Sequence, residues 1–136
     1  MFAAEPWKHI HLRFGGWIDG VTSTAVLSRL VADAGGVAPL TVPVTERPYR
    51  KVSVDCPDEA KPAVMDRLQE SVPAAFPDAD VSTEHGVRVE LPDGSWVLIR
   101  PSGTEPYVRV YAESDDVDAL VDGAVELVET AVRAAR

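Results

Sequence analysis

The sequence predicts an α+β fold, a small antiparallel sheet with two helices on one face, preceded by a partial α/β domain fragment. Three observations predict it. From residue 51 onward, strand and helix patterns follow in the order strand, helix, three or four strands, helix. The later strands alternate apolar and polar residues, which is typical of a sheet with one buried face. The turns between them are short, which favours antiparallel hairpins.

The fragment comprises residues 1–45. A helix is expected from about Asp19 to Ala34, because apolar residues recur on one face and Gly35 and Gly36 provide a stop. The proline-containing segment 37–50 is either an extended connector or a broken short helix, and both remain open. One helix and one strand cannot bury a core alone. This portion should therefore pack against the later domain, another chain or sequence not included here.

Residues 46–136 are expected to form a complete small domain. Its first helix is predicted from Asp58, as cap, to about Val72, where "VPAAFPD" breaks it. Its last helix is predicted from Asp115, with Ser114 as N-cap and an apolar stripe at spacings of three and four. The strands are the runs "KVSVDC", "DVSTE", "GVRVEL", "SWVLI" and "YVRVYAE".

Charges at every second position of these strands indicate a solvated sheet face rather than chemistry. The residues interpreted in this way are Arg88, Glu90, Arg109 and Glu113. The "PDG" before Ser95 is a strong hairpin signal.

The net charge of −9, from 22 acidic and 13 basic residues, disfavours nucleic acid and anionic membranes as partners. The acidic, lysine-poor composition resembles that of proteins from salt-loving organisms, with an ordinary acidic protein as the alternative. The single Cys56 cannot form an internal disulfide, and no apolar run approaches the roughly 20 residues of a membrane helix. A cytoplasmic location is therefore expected.

The loop "RPSGTEP" at 100–106 carries more polar groups than a turn requires. Pro101 fixes one backbone angle and Gly103 permits a positive φ, so that successive amides can point into one concavity. Ser102 and Thr104 add hydroxyl donors, and the planar guanidinium of Arg100 matches two phosphate oxygens. These groups indicate an anion site. Composition alone favours a plain turn, because no Walker-type lysine follows and the loop does not open a helix.

This loop, preceded by "HGVRVELPDGSWVLI" and followed by "YVRVYAES", resembles the phosphate-binding loop in the last domain of the α-D-phosphohexomutases. That family is the phosphomannomutase, phosphoglucomutase and phosphoglucosamine mutase group. "FAAEPWKH" at 2–9 is similar to the sugar-binding loop of the family's third domain, which reads Glu, any residue, Ser, Gly, His. "WIDG" at 17–20 resembles the segment that opens the last helix of that domain. The resemblance implies a remnant of domain 3 at 1–45 and domain 4 at 46–136.

The resemblance also implies the roles of individual residues. Arg100, Ser102, Gly103 and Thr104 would hold the phosphate that is not reacting. The sugar hydroxyls would be bound by Glu5 and His9. Trp7 and Lys8 depart from the family's Ser and Gly, which affects the sugar loop's shape, and Lys8 would add a positive charge near a sugar phosphate.

The family reaction moves a phosphoryl group between C1 and C6 of a hexose through a phosphoserine in a "Ser-His-Asn-Pro" type loop. Mg²⁺ is held by an "Asp-Gly-Asp-x-Asp" type loop. Neither string occurs in this chain. Phosphoryl transfer depends on positioning and on cations that neutralise charge, so the isolated chain is expected to contain no catalytic residue, to bind no cofactor itself and to be inactive.

His9 and His11 alternate in a possible strand, which would place both rings on one face, but a third metal ligand is hard to name. No metal site is therefore assigned. The expected ligand is a hexose phosphate, either mannose or glucose 1- or 6-phosphate. A separately encoded N-terminal part, or another copy of the chain, is the expected partner for residues 1–45. The alternative is a stand-alone, non-catalytic module that binds phosphosugars or another protein.

Overall fold

The structure, a computed structural model, describes residues 2–5 and 8–135, with side chains from residue 8 onward. The chain divides into two compact units, Met1–Glu46 and Arg47–Arg136. Every helix among the described residues is too short or too polar to cross a membrane.

The first unit contains a hairpin and two helices. Strands β1 (Phe2–Glu5) and β2 (Lys8–His11) pair antiparallel. Helix α1 (Gly20–Ala34) begins after Asp19, whose carboxylate accepts a hydrogen bond from the Thr22 N–H at 2.7 Å. It ends at Gly35, which is left-handed with φ 76°. The predicted helix is confirmed, but the described part of this unit has two strands rather than one.

The segment after α1 forms a short helix, α2 (Ala38–Thr41), with a proline in its first turn. Of the two possibilities left open by the sequence, the structure therefore shows the short helix. Within residues 8–46 no side chain is buried, and several large apolar residues are exposed, among them Trp17 (58%) and Leu27 (58%). The apolar side of α1 therefore has no core of its own.

The second unit is built on a five-stranded sheet in which every neighbouring pair of strands is antiparallel. Inward residues alternate with outward ones along the central strands, as the sequence pattern predicts. The strands are β3 (Tyr49–Asp55), β4 (Asp80–Ser82), β5 (Val87–Glu90), β6 (Trp96–Pro101) and β7 (Tyr107–Glu113). Their order across the sheet is β3-β7-β6-β5-β4.

Helices α3 (Lys61–Ala75) and α4 (Val117–Ala134) cover one face of this sheet. Val64, Leu68 and Val128 are fully buried against inward strand residues such as Val97 and Ile99. One hydrophobic core thus joins both helices to the sheet, and the predicted α+β class is confirmed. The opposite, outward face of the sheet is not covered by these helices.

Two helix boundaries differ from the prediction. A 3₁₀ turn at Asp58–Ala60 precedes α3, which then runs through Pro73 to Ala75. Because Pro73 lies in the last turn, the amide it lacks interrupts little of the helix. The N-cap of α4 is Asp116 rather than Ser114. The Ser114 hydroxyl still accepts a hydrogen bond from the Asp116 N–H at 3.1 Å, so it supports the helix start from outside.

The "PDG" turn joins β5 to β6 as predicted. Gly94 has φ 80°, a left-handed conformation that favours glycine, and its N–H donates to the Leu91 carbonyl at 2.9 Å. The Asp93 carboxylate accepts hydrogen bonds from the Ser95 N–H (2.9 Å) and hydroxyl (2.8 Å). These bonds, that from the backbone amide first, lower the pKa of Asp93.

Candidate functional site

The loop between β6 and β7 is held by backbone hydrogen bonds on both sides. The Ser102 N–H donates to the Tyr107 carbonyl at 3.0 Å, and the Tyr107 N–H donates to the Glu105 carbonyl at 2.8 Å. The Pro106 carbonyl accepts from the Cys56 N–H at 2.9 Å. The loop is therefore fastened to its own strands and to the segment that follows β3.

Ser102 folds its side chain into the loop. It is 6% exposed, and its Oγ accepts hydrogen bonds from the backbone N–H groups of Glu105 (3.2 Å) and Thr104 (3.5 Å). Two of the loop's amides are thus satisfied internally, which differs from the expected run of amides facing one concavity. The hydrogen of the Ser102 hydroxyl remains to be donated, because in these bonds its oxygen is the acceptor.

Gly103 differs from the sequence expectation in its conformation. It is absent from the glycines with positive φ, and a Cβ built on it would meet no atom within 4 Å. Within the described part of the chain its N–H makes no hydrogen bond, and the residue is exposed. Neither backbone strain nor neighbouring atoms therefore require glycine here. The bare backbone instead leaves room for a group from outside to approach the amide.

Two arginines stand side by side on the outward face of the sheet, at the end of β6 next to the loop. Arg100 pairs with Arg109 directly across β6 and β7, an arrangement that like charges disfavour. Both guanidiniums donate hydrogen bonds to tyrosine hydroxyls. Neither arginine forms an ion pair with a carboxylate of the described residues. Arg88, by contrast, lies 2.6 Å from a carboxylate oxygen of Glu90.

Arg109 was interpreted from the sequence as one of several charges on the outward face of the sheet, and it lies on that face, half-buried like Arg88. Its guanidinium is partly buried, and its Nη2 donates to the Tyr107 hydroxyl at 2.9 Å. Its proximity to Arg100 follows from the register of β6 and β7, which alternation alone does not reveal. The sequence signal that could have indicated the pair is that Arg109 lies on the outward face of β7, the strand that follows the loop.

Tyr111 sits between the two cations. Its hydroxyl accepts from Arg100 at 3.2 Å and from Arg109 at 3.5 Å, and the Arg100 guanidinium lies 5.4 Å from the ring centre. Burial would raise the pKa of Tyr111, but the hydrogen bonds from Arg109 and Arg100 outweigh it, and the pKa is lowered. The pKa of Arg109 is raised, first by its bond to Tyr107 and then by that to Tyr111. The cluster is positive because it contains two guanidinium groups, which stay protonated in proteins.

Beneath the loop lies a residue that the sequence did not single out. Lys61, at the start of α3, has a side chain only 11% exposed. Its ammonium donates to the carbonyls of Ser102 (2.7 Å) and Glu105 (2.6 Å) and to the Asp58 carboxylate (2.5 Å). No local pattern could have indicated this, because the two carbonyls are 41 and 44 residues away.

The predicted sugar-binding residues lie in the first unit. His9 Nδ1 and His11 Nε2 lie 3.0 and 2.7 Å from Ser23 Oγ, so both rings occupy one face of β2 as expected. They line an open cleft of about 630 Å³ whose other walls are largely apolar, including Ile18 and Leu27. Lys8 is exposed in the same strand.

Two further residues of the predicted sugar loop cannot be placed. Glu5 belongs to β1, but its side chain lies outside the described residues, as does Trp7 entirely. The described residues contain no group of three or more His, Cys, Asp or Glu side chains that could hold a metal ion. They therefore do not fit the Mg²⁺ that the resemblance implies for an intact enzyme.

Comparison with known proteins places this geometry in context. The family described as phosphoglucomutase/phosphomannomutase, C-terminal domain, matches residues 52–130. Phosphopentomutase from Thermococcus kodakarensis is 43% identical over 116 residues, which cover 84% of this chain and 26% of that protein. A probable phosphoglucosamine mutase from Methanopyrus kandleri is 37% identical over 145 residues, covering 100% of this chain and 30% of that protein.

A solved structure agrees with these matches. The phosphoglucomutase/phosphomannomutase family protein from Burkholderia thailandensis superposes with a TM-score of 0.64 at 26% identity, over 88% of this chain and 24% of that one. The chain thus spans about a quarter to a third of the length of the relatives it matches. The fold and the sequence agree that this chain belongs to the phosphoglucomutase/phosphomannomutase C-terminal domain family.

Proposed function

We propose that this chain is the sugar-phosphate-binding C-terminal portion of a phosphohexomutase, and that its 100–104 loop grips a phosphate group. The observation that carries the proposal is the adjacent pair of guanidiniums of Arg100 and Arg109, which have no carboxylate partner among the described residues, in a chain whose net charge is −9. Like charges placed together in this way are stabilised when an anion binds between or beside them. Ser102, Gly103 and Thr104 supply the neighbouring hydroxyl and amide donors.

Arg100 is held weakly enough to turn from its present partner to a phosphate. Its bond to the neutral Tyr111 hydroxyl is long at 3.2 Å and exposed. Such a long, exposed bond lies at or below the low end of the roughly 1.5–3 kcal/mol range for bonds to charged groups, and an exposed cation-π contact contributes about 0.5–1 kcal/mol. A charge-assisted bond to phosphate contributes about 1.5–3 kcal/mol for each donor, so a bidentate phosphate outweighs what Arg100 gives up.

In the intact enzyme, the phosphate held here would be the one that does not react. The sugar hydroxyls would be bound by Glu5 and His9, and Lys8 would add a positive charge near a sugar phosphate. We assign these three residues to the remnant of domain 3 at 1–45, and 46–136 to domain 4. The ligand class is a hexose phosphate, mannose or glucose 1- or 6-phosphate. The loop would accept either end of the sugar, because both ends present the same phosphate.

We assign phosphoryl transfer and Mg²⁺ binding to other parts of the enzyme. Without a phosphoserine loop or a Mg²⁺ loop, the isolated chain should bind but not convert hexose phosphates. The exposed apolar side of α1 (Leu27, Leu30) would be covered by those other parts. A coupled assay of the purified chain with glucose 1-phosphate, glucose 1,6-bisphosphate and Mg²⁺ should show no turnover, and turnover would contradict this assignment.

Binding is tested by adding inorganic phosphate, glucose 1-phosphate and mannose 1-phosphate to the ¹⁵N-labelled chain. We expect the amide resonances of residues 102–104 to shift, with a Kd near the millimolar range, equivalent to about 4 kcal/mol. Arg100→Ala should raise Kd about 10- to 100-fold, since each charged bond contributes about 1.5–3 kcal/mol. Arg109→Ala should weaken binding in the same direction.

Arg88→Ala is the matched control, because Arg88 lies on the same face but is paired with Glu90. It should leave Kd unchanged. If the amide resonances of residues 102–104 do not shift with any of the three ligands, the phosphate assignment is wrong. The stand-alone interaction module then becomes the better hypothesis. An Arg100→Ala variant that binds as tightly as the wild type would likewise contradict the proposal.

A further inference from the structure

Lys61 is an unusual residue for the core side of a small domain. Its side chain is 11% exposed, and all three hydrogens of its ammonium can be matched to acceptors: the carbonyls of Ser102 and Glu105 and the carboxylate of Asp58. Burying an ammonium is unfavourable unless it is paired and hydrogen-bonded. A methionine or leucine could fill this space without that requirement, so packing does not explain the lysine.

The bond to Ser102 fixes the direction of the next amide. The described chain has no cis peptide bond, and in a planar trans peptide the C=O and the following N–H point in opposite directions. Because the Ser102 carbonyl is turned toward Lys61, the Gly103 N–H must point away from it. That is the exposed side of the loop, where this N–H has no partner among the described residues.

The second bond anchors the other end of the loop. The Glu105 carbonyl accepts from Lys61 at 2.6 Å and also from the Tyr107 N–H at 2.8 Å. Lys61 thus ties together two positions that bracket Gly103 and Thr104. Its positive charge lies behind the Ser102–Gly103 peptide, whose dipole already favours an anion in front, and the Asp58 carboxylate that balances it is 74% exposed and thus well solvated.

We propose that Lys61 is the positioning residue of the phosphate loop, holding the Ser102 and Glu105 carbonyls inward so that the Gly103 N–H faces the phosphate. This inference rests on the proposed function. It assigns to a buried lysine of α3 a control over phosphate affinity without any contact with the phosphate itself.

The test measures inorganic phosphate binding to the full 136-residue chain labelled with ¹⁵N-glycine, in which the nine glycines provide separate probes. Lys61→Met keeps an unbranched side chain that is one atom shorter and removes every donor. We expect it to raise Kd at least tenfold and to move the Gly103 resonance before phosphate is added, while the Gly123 resonance in α4 stays in place. Arg67→Met, which removes an exposed cation from the same helix, should leave Kd within twofold.

The outcomes separate the two proposals. If the wild-type chain shows no Gly103 response to phosphate, the proposed function and this inference both fail. If the wild type responds and folded Lys61→Met binds within twofold of it, only the role of Lys61 is overturned. Should Lys61→Met lose its fold by circular dichroism, Lys61→Gln, which removes the charge and one donor, decides by the same comparison, and an unchanged Kd again overturns the role.

Discussion

Replacing Gly103 with alanine should weaken phosphate binding without harming the fold. The added Cβ meets no atom of the chain within 4 Å, and Gly103 does not have a positive φ. A Gly→Ala change at such a position stabilises a protein by about 0.4–1 kcal/mol, because it restricts the unfolded chain. For a unit of this size we expect Tm to rise by about 2–6 °C.

Phosphate affinity, in contrast to stability, should fall in Gly103→Ala. If the open space beside the Gly103 Cα is where a phosphate oxygen approaches the N–H, the methyl group displaces that oxygen. Losing one hydrogen bond to a charged group costs about 1.5–3 kcal/mol, which raises Kd by about 10- to 100-fold. Calorimetric titration with inorganic phosphate measures the affinity, and thermal unfolding without phosphate measures the stability.

Gly94→Ala is the matched control, because it makes the same change at the other end of β6. Gly94 has φ 80°, where a side chain is strained, so alanine should lower Tm and leave phosphate affinity unchanged. The reasoning is refuted if Gly103→Ala binds phosphate like the wild type. It is also refuted if Gly103→Ala lowers Tm, since the glycine would then serve the fold.

Two further predictions concern pH and packing. In an absorbance titration at 295 nm, Tyr111 should ionise below the ordinary pKa of about 10 and before Tyr49, whose pKa is raised by burial, and Tyr111→Phe should remove that early component. Because the pKa of Tyr111 is lowered in the folded state, this residue should add to the free energy of unfolding as pH rises from that lowered value to about 10. Urea unfolding at several pH values measures this gain, which should be absent in Tyr111→Phe. Leu68→Ala, at a fully buried position of α3, should cost about 2–5 kcal/mol in urea unfolding at pH 7, and a loss below 1 kcal/mol would contradict the packing described for the core.

The sequence predicted what depends on local periodicity. Alternation along β6 and β7 and the apolar stripes of α3 and α4 each report which face of one element is buried, and burial supplies most of the stabilisation of such a fold. Element ends were less predictable, as Pro73 shows, because buried Val72 and Leu68 outweigh the proline's missing amide. The parts of the site that were missed depend on contacts between distant segments, such as Lys61 with Ser102.

The two hairpin loops at the ends of β6 show how a turn differs from a binding loop. In the "PDG" turn, Gly94 uses its left-handed φ, its N–H closes the turn, and the Asp93 carboxylate is occupied by Ser95. In the "RPSGTEP" loop, the lysine behind and the serine within satisfy the backbone, while the Gly103 N–H is left facing outward. A simple turn needs neither a buried ammonium on its inner side nor an exposed backbone donor on its outer side that has no partner among the described residues. The difference is explained if an anion completes the outer side.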